Sequence, residues 1–158
     1  MPPATTPSKR FARLWILLAV VAVVITIVVV KALLRPPAAT ISVPDQIEQA
    51  LSSGQPAVFI FTYGGDCCES TRRAFDDYDQ QVSTALGNYG TRVTAVWLDT
   101  SLEDSESLGA MRDLAGQYGV ENAPSLLLVS ATGESLWLKA GLTTTEEVRA
   151  GLAAALGG

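Results

Sequence analysis

Two short runs, AVFIFTY (Ala57 to Tyr63) and TRVTAVWLD (Thr91 to Asp99), place apolar side chains at successive positions instead of every second one. Successive side chains of a strand point to opposite faces of its sheet, so such a run reads as a strand covered on both sides. Covering both sides takes helices, and the neighbouring segments have helical spacing. SVPDQIEQALSSG (Ser42 to Gly54) has a polar start, Pro44 in its first turn, Ile47, Ala50 and Leu51 on one side, and a closing glycine. STRRAFDDYDQQVSTAL brings Phe75, Tyr78, Val82 and Leu86 to one face, and SLEDSESLGAMRDLAGQYGV follows a polar loop with Leu108, Met111, Leu114 and Tyr118 at similar spacings. SLLLVS and SLWLKA, joined by ATGE, read as a hairpin turning at Gly133. TTTEEVRAGLAAAL reads as a last helix, with Thr144 and Glu147 in capping-box spacing. Helix and strand alternate and then give way to a hairpin, which predicts an α/β fold: a mixed sheet of about four strands with helices on both faces. Trp97 and Trp137 lie in the strand patterns and read as core.

Charge divides the chain at Pro36. The 158 residues carry 11 basic and 16 acidic side chains; the first 35 hold five of the basic ones (Lys9, Arg10, Arg13, Lys31 and Arg35) and no acid. The remainder holds six basic residues against all 16 acids, a balance of −10, which argues against nucleic acid as a partner. Histidine is absent, which removes Ser-His and Cys-His catalysis. From Leu14 the sequence reads LWILLAVVAVVITIVVV, and with Lys31 snorkelling the apolar stretch extends to Leu34. Twenty-one helical residues would reach about 31 Å, the thickness of a bilayer's hydrocarbon layer. A cleaved signal peptide usually has a shorter apolar region, so the expectation is an uncleaved transmembrane helix over residues 14–34. A cytoplasmic disordered leader over 1–13 and a linker over 35–40 flank it. Three basic residues precede the uncharged run and two, Lys31 and Arg35, follow it. That balance places the remaining domain, 41–158, outside the cytoplasm of a single-pass cell-membrane protein.

Three stretches carry a resemblance. FIFTYGGDCCES runs an apolar strand into cysteine at a helix start, VENAPSLLLV leads a proline into a strand, and GLTTTEEVRAGL sets a glycine before a closing helix. In this order, across Ile41 to Leu156, the chain resembles the thioredoxin-like superfamily. The resemblance implies a thioredoxin-like fold, a cis Ala123-Pro124 bond beside the cysteines, and thiol-disulfide exchange with protein thiols or disulfides. With a cis bond there, the Ala123 backbone would pair with an extended peptide by strand addition. The sequence departs from the family at its redox motif. Cys-x-x-Cys is replaced by Cys67-Cys68-Glu69-Ser70, with Asp66 where an aromatic residue usually stands.

Asp66 and Glu69 have capping-box spacing, which would put Cys67 and Cys68 at the first two helical positions, where free N–H groups favour a thiolate. Neighbouring Cα atoms lie about 3.8 Å apart, short of the ~4.4–6.8 Å usual for a disulfide, so a Cys67–Cys68 bond would be strained and easily reduced. These residues are therefore the candidate site: Cys67 as nucleophile and Cys68 as resolving thiol, supported by Asp66, Ser70, Ala123 and Pro124. No cofactor or resident metal is implied, since two thiolates without histidine cannot complete a zinc site. Two readings compete with an oxidoreductase: a non-catalytic interaction module of the same fold, and a Cu(I)-binding thiol site.

Overall fold

Every residue of strand β1 (Ala57–Thr62) is buried, as its unbroken apolar run requires. The computed structural model describes residues 41–65 and 68–157. Helix α1 (Val43–Ser52) precedes β1, and α2 (Glu69–Leu86), β2 (Thr94–Asp99), α3 (Ser105–Tyr118), β3 (Ser125–Val129), β4 (Ser135–Ala140) and α4 (Thr145–Leu156) follow. The strands lie in the order β2-β1-β3-β4. β1 runs parallel to β2, with Thr62 opposite Asp99, and antiparallel to β3, with Phe61 opposite Ser125. The end of β1, the end of β2 and the start of β3 therefore share one edge of the sheet.

Strand alternation sorts the core into two layers. Phe59, Phe61, Leu98, Leu127 and Val129 pack with Ile47 of α1 and with Met111 and Leu114 of α3. Val58, Ile60, Leu126 and Leu128 pack on the other face with Tyr78 and Val82 of α2 and Val148 and Leu152 of α4. The helices stop and start where local chemistry says they should. Asp104 caps α3 by accepting from the Glu106 and Ser107 N–H groups, and Gly119 closes that helix at φ 70°. Thr144 and Glu147 form the capping box of α4.

The outer strands are less covered than their sequences suggest. Only Val96 and Leu98 of β2 are buried, and Trp97 is 38% exposed, contrary to the expectation of core. β2 is an edge strand, and strand order is a tertiary fact that its own residues do not encode. β4 is the other edge; there Trp137 packs onto the second layer, while Leu136 and Leu138 remain exposed.

The expectation of a fold preceded by a transmembrane helix is corrected, and with it the membrane partner and the cell-membrane localisation. Among the described residues no helix is long and apolar enough to cross a membrane. The longest, α2, has 18 residues but carries Glu69, Arg72, Arg73, Asp76, Asp77 and Asp79, which a bilayer interior disfavours. The segments 1–13, 14–34 and 35–40 lie outside the described residues.

Candidate functional site

The segment leaving β1 is held from below by the end of β2. Asp99 Oδ1 accepts from the Gly64 N–H at 2.9 Å, the Ser101 N–H at 2.8 Å and the Ser101 hydroxyl at 2.6 Å. Burial opposes the charge on Asp99, but these hydrogen bonds outweigh it and hold the carboxyl below its ordinary range. The approach is close enough to require glycine. A Cβ on Gly64 would lie 2.5 Å from Asp99 Oδ2, and one on Gly65 would lie 2.6 Å from the Tyr63 hydroxyl oxygen and 3.0 Å from Ser101 Cβ. A second clamp lies beside the first. The Thr62 carbonyl accepts from the Thr100 N–H and hydroxyl at 2.9 and 2.8 Å, and the Thr62 hydroxyl donates to Asp79 of α2 at 2.8 Å. Burial pushes the Asp79 carboxyl up; the Thr62 hydrogen bond works against that, and the charges of Asp76 and Asp99 add to it.

Helix α2 begins later than its sequence predicts. Cys68 is its N-cap, in an extended conformation, so it stands ahead of the first turn and not inside it. Its carbonyl accepts from the Arg72 N–H at 3.0 Å. With Cys68 as N-cap, Glu69 is the first residue of the helix and not the third, and its carboxylate pairs with Arg73 one turn along. The Cys68 sulfur makes no capping bond to the helix N–H groups. It lies instead 3.3 Å from the Ser70 hydroxyl and 3.0 Å from that of Thr71. Asp66 and Cys67 lie outside the described residues.

The expectation of a thiol-disulfide oxidoreductase working through vicinal Cys67 and Cys68 is therefore corrected. The described residues show no adjacent cysteine pair and no group of three or more metal-ligating side chains. The thiolate support expected from the first helical turn is not built at Cys68, whose sulfur contacts side-chain hydroxyls. The Cu(I) reading rests on both thiols, of which Cys67 lies outside the described residues.

The remaining two site residues sit across the sheet edge. The Ala123-Pro124 bond is cis. Pro124 immediately precedes Ser125, the register partner of Phe61, so this turn stands level with the exit of β1. The Pro124 carbonyl accepts from Gly141 N–H at 2.8 Å, whereas among the described residues no loop hydrogen bond engages the backbone of exposed Ala123. Beside Ala123 opens a cleft of about 220 Å³ between β1 and α3. Phe61, Leu108, Met111 and Val120 give it an apolar lining, and Arg112 and Glu121 supply its charges.

A parallel β1–β2 pair, an antiparallel β3–β4 hairpin, helices on both faces and a cis-proline turn level with the exit of β1 decide the architecture. The fold is thioredoxin-like. Solved structures agree: the DsbH oxidoreductase superposes with a TM-score of 0.55 at 19% identity, covering 73% of this chain and 82% of its own. Thioredoxin from Aeropyrum pernix gives 0.51 at 20% identity, covering 68% and 78%. Thioredoxin O2 from Arabidopsis thaliana, in its oxidized state, gives 0.50 at 19%, covering 72% and 89%. No family model and no curated relative matches the sequence. The likeness at these identities is one of fold.

The residues that hold this thioredoxin-like site in place were not singled out by the sequence. Asp99 ends an apolar run and would pass for a solvated strand terminus. Its signal is the conjunction of an acid followed by Thr100 and Ser101 with paired glycines after the neighbouring strand, and that conjunction is visible only once β1 and β2 are known to be adjacent. Thr62 and Asp79 lie 17 residues apart, and their contact depends on α2 folding back over β1.

Proposed function

We propose that this domain is a non-catalytic thioredoxin-like interaction module that receives an extended segment of a protein partner along the Ala123-Pro124 turn. The observation that carries the reading is the exposed Ala123 backbone beside an apolar cleft of about 220 Å³. An extended peptide there would gain main-chain hydrogen bonds at Ala123 and place one apolar side chain against Phe61, Leu108 and Met111. Neither Cys68 nor Ser70 lines that cleft, so the reading asks no contact of the thiol.

The test is binding of a reduced and alkylated unfolded protein, which offers extended segments and no thiol, to the full-length chain. Leu108→Arg, which fills the cleft, is expected to weaken binding about tenfold or more. Replacing both Cys67 and Cys68 with serine is expected to leave it unchanged. Binding that survives Leu108→Arg, or that requires either cysteine, would reject the module as described.

A further inference from the structure

A second concave surface lies away from the β1 exit, between α1 and α3. It is a groove of about 480 Å³ whose apolar surface comes from Ile47 and Leu51 of α1 and from Ala110 and Leu114 of α3. Ile47 and Leu114 are buried in the core beneath, while Leu51 and Ala110 are half-buried and turn apolar atoms to the groove. Its charges are of one sign. Each helix contributes one exposed carboxylate to the lining, Glu48 and Asp113, and no basic side chain lines the groove. Arg112, the nearest basic residue on α3, lines the cleft beside Ala123 instead.

We infer that the α1–α3 groove docks an amphipathic helix of a basic protein partner. Two packed helices leave a furrow that a third helix fills with side chains at i, i+3 or i+4, and i+7. The ten residues of α1 extend about 15 Å, which matches two to three turns of such a helix. Lysine or arginine flanking those anchors would meet Glu48 on one side and Asp113 on the other. A second copy of this chain fits the groove poorly, because residues after Pro36 carry 16 acids against six basic side chains. An anionic lipid surface is repelled for the same reason.

The experiment uses the full-length chain and a synthetic amphipathic helix with leucine at i, i+4 and i+7 and lysine at the flanking positions. Binding is read by fluorescence anisotropy and mapped by amide shifts. The expected result is binding that maps to α1 and α3 and weakens about tenfold in Glu48→Lys/Asp113→Lys. The control Asp77→Lys/Glu134→Lys makes the same change in net charge at exposed positions outside the groove and is expected to alter binding less than about twofold. All four positions are exposed, so the fold is not at stake. Equal loss in both double variants would reduce the effect to bulk charge and overturn the proposal. So would absence of binding, or sedimentation showing a dimer that the groove variant alone dissociates. Binding of unfolded protein beside Ala123 should be indifferent to Glu48→Lys/Asp113→Lys, so failure at one surface leaves the other standing.

Discussion

Asp99 Oδ1 and the Gly64 amide, 35 residues apart, are joined by a 2.9 Å hydrogen bond that ties the segment after β1 to the end of β2. The same oxygen takes two further bonds from Ser101, so removing the carboxylate orphans donors on both sides of the turn. Asp99→Ala should cost about 1–3 kcal/mol, read as a lower denaturant midpoint at unchanged slope. An unchanged midpoint would show that water replaces Asp99 without loss.

Asp99 and Asp79 should respond to pH with opposite signs. The folded state holds Asp99 low, so its contribution is present above the ordinary carboxylate value of about 3.9 and is lost as pH falls through the folded value. Asp79 is held high, so the folded state binds its proton more tightly, and a penalty grows as pH rises from the unfolded value through the folded one. At pH 7 Asp99→Asn should destabilise. Asp79→Asn keeps an acceptor for Thr62 and should stabilise by about a few tenths of a kcal/mol after solvent screening. Both differences should shrink in acid, and urea titrations at neutral and acid pH would show it.

Gly64→Ala should be costly only while Asp99 is present. The added Cβ would lie 2.5 Å from Asp99 Oδ2, in a carboxylate held in place through three hydrogen bonds to its other oxygen, and overpacking of this kind costs about 1–3 kcal/mol. In an Asp99→Ala background the obstruction is gone and most of that cost should disappear. A double-mutant cycle measures the coupling, and strict additivity would contradict the geometry.

Gly151 lies inside α4, where alanine ordinarily gains about 1 kcal/mol. Here the sign should reverse, because a Cβ at this position would run into the Trp137 ring. Gly151→Ala is expected to lower thermal stability and to alter Trp137 fluorescence; a stabilised variant would show that the indole moves aside freely.

Tyr78 is buried in the second core layer, and its hydroxyl has no hydrogen-bond partner among the described residues. Burial pushes its ionisation up, with Asp79 adding to the effect. Tyr78→Phe removes an unsatisfied polar atom and keeps the ring, so stability should hold or rise by about 1 kcal/mol in thermal unfolding. A clear loss would reveal a partner for that hydroxyl.

The sequence states local relations well and distant ones poorly. The run Ala57 to Tyr63 announces a strand covered on both faces, and β1 sits there between β2 and β3. Thr144 and Glu147, three residues apart, announce a capping box, and α4 makes it. The same spacing misleads at Asp66 and Glu69, because the helix starts after Cys68 and Glu69 is its first residue. Trp97 misleads because an apolar pattern is the same in a central strand and an edge strand. The site's chemistry was misjudged from the Cys67-Cys68 pair. The features that organise the site, Asp99 under Gly64 and Thr62 against Asp79, arise only when separate elements meet.

The strand order β2-β1-β3-β4 also sets a timetable for the nascent chain. β1 and β2 can pair once residue 99 has emerged, but the other edge of β1 waits for Ser125–Val129. Until then a strand that the finished domain buries completely is open along one side, and its Phe59 and Phe61 layer is only part covered. Non-local pairing of this kind slows folding and exposes an unpaired edge to other chains. A nascent chain that has emerged only as far as residue 100 would therefore display a sticky half-sheet, and one that has emerged beyond residue 140 would not. Protection of the chain during synthesis depends on a hairpin that has no part in the loops at the β1 exit until it closes the sheet beneath them.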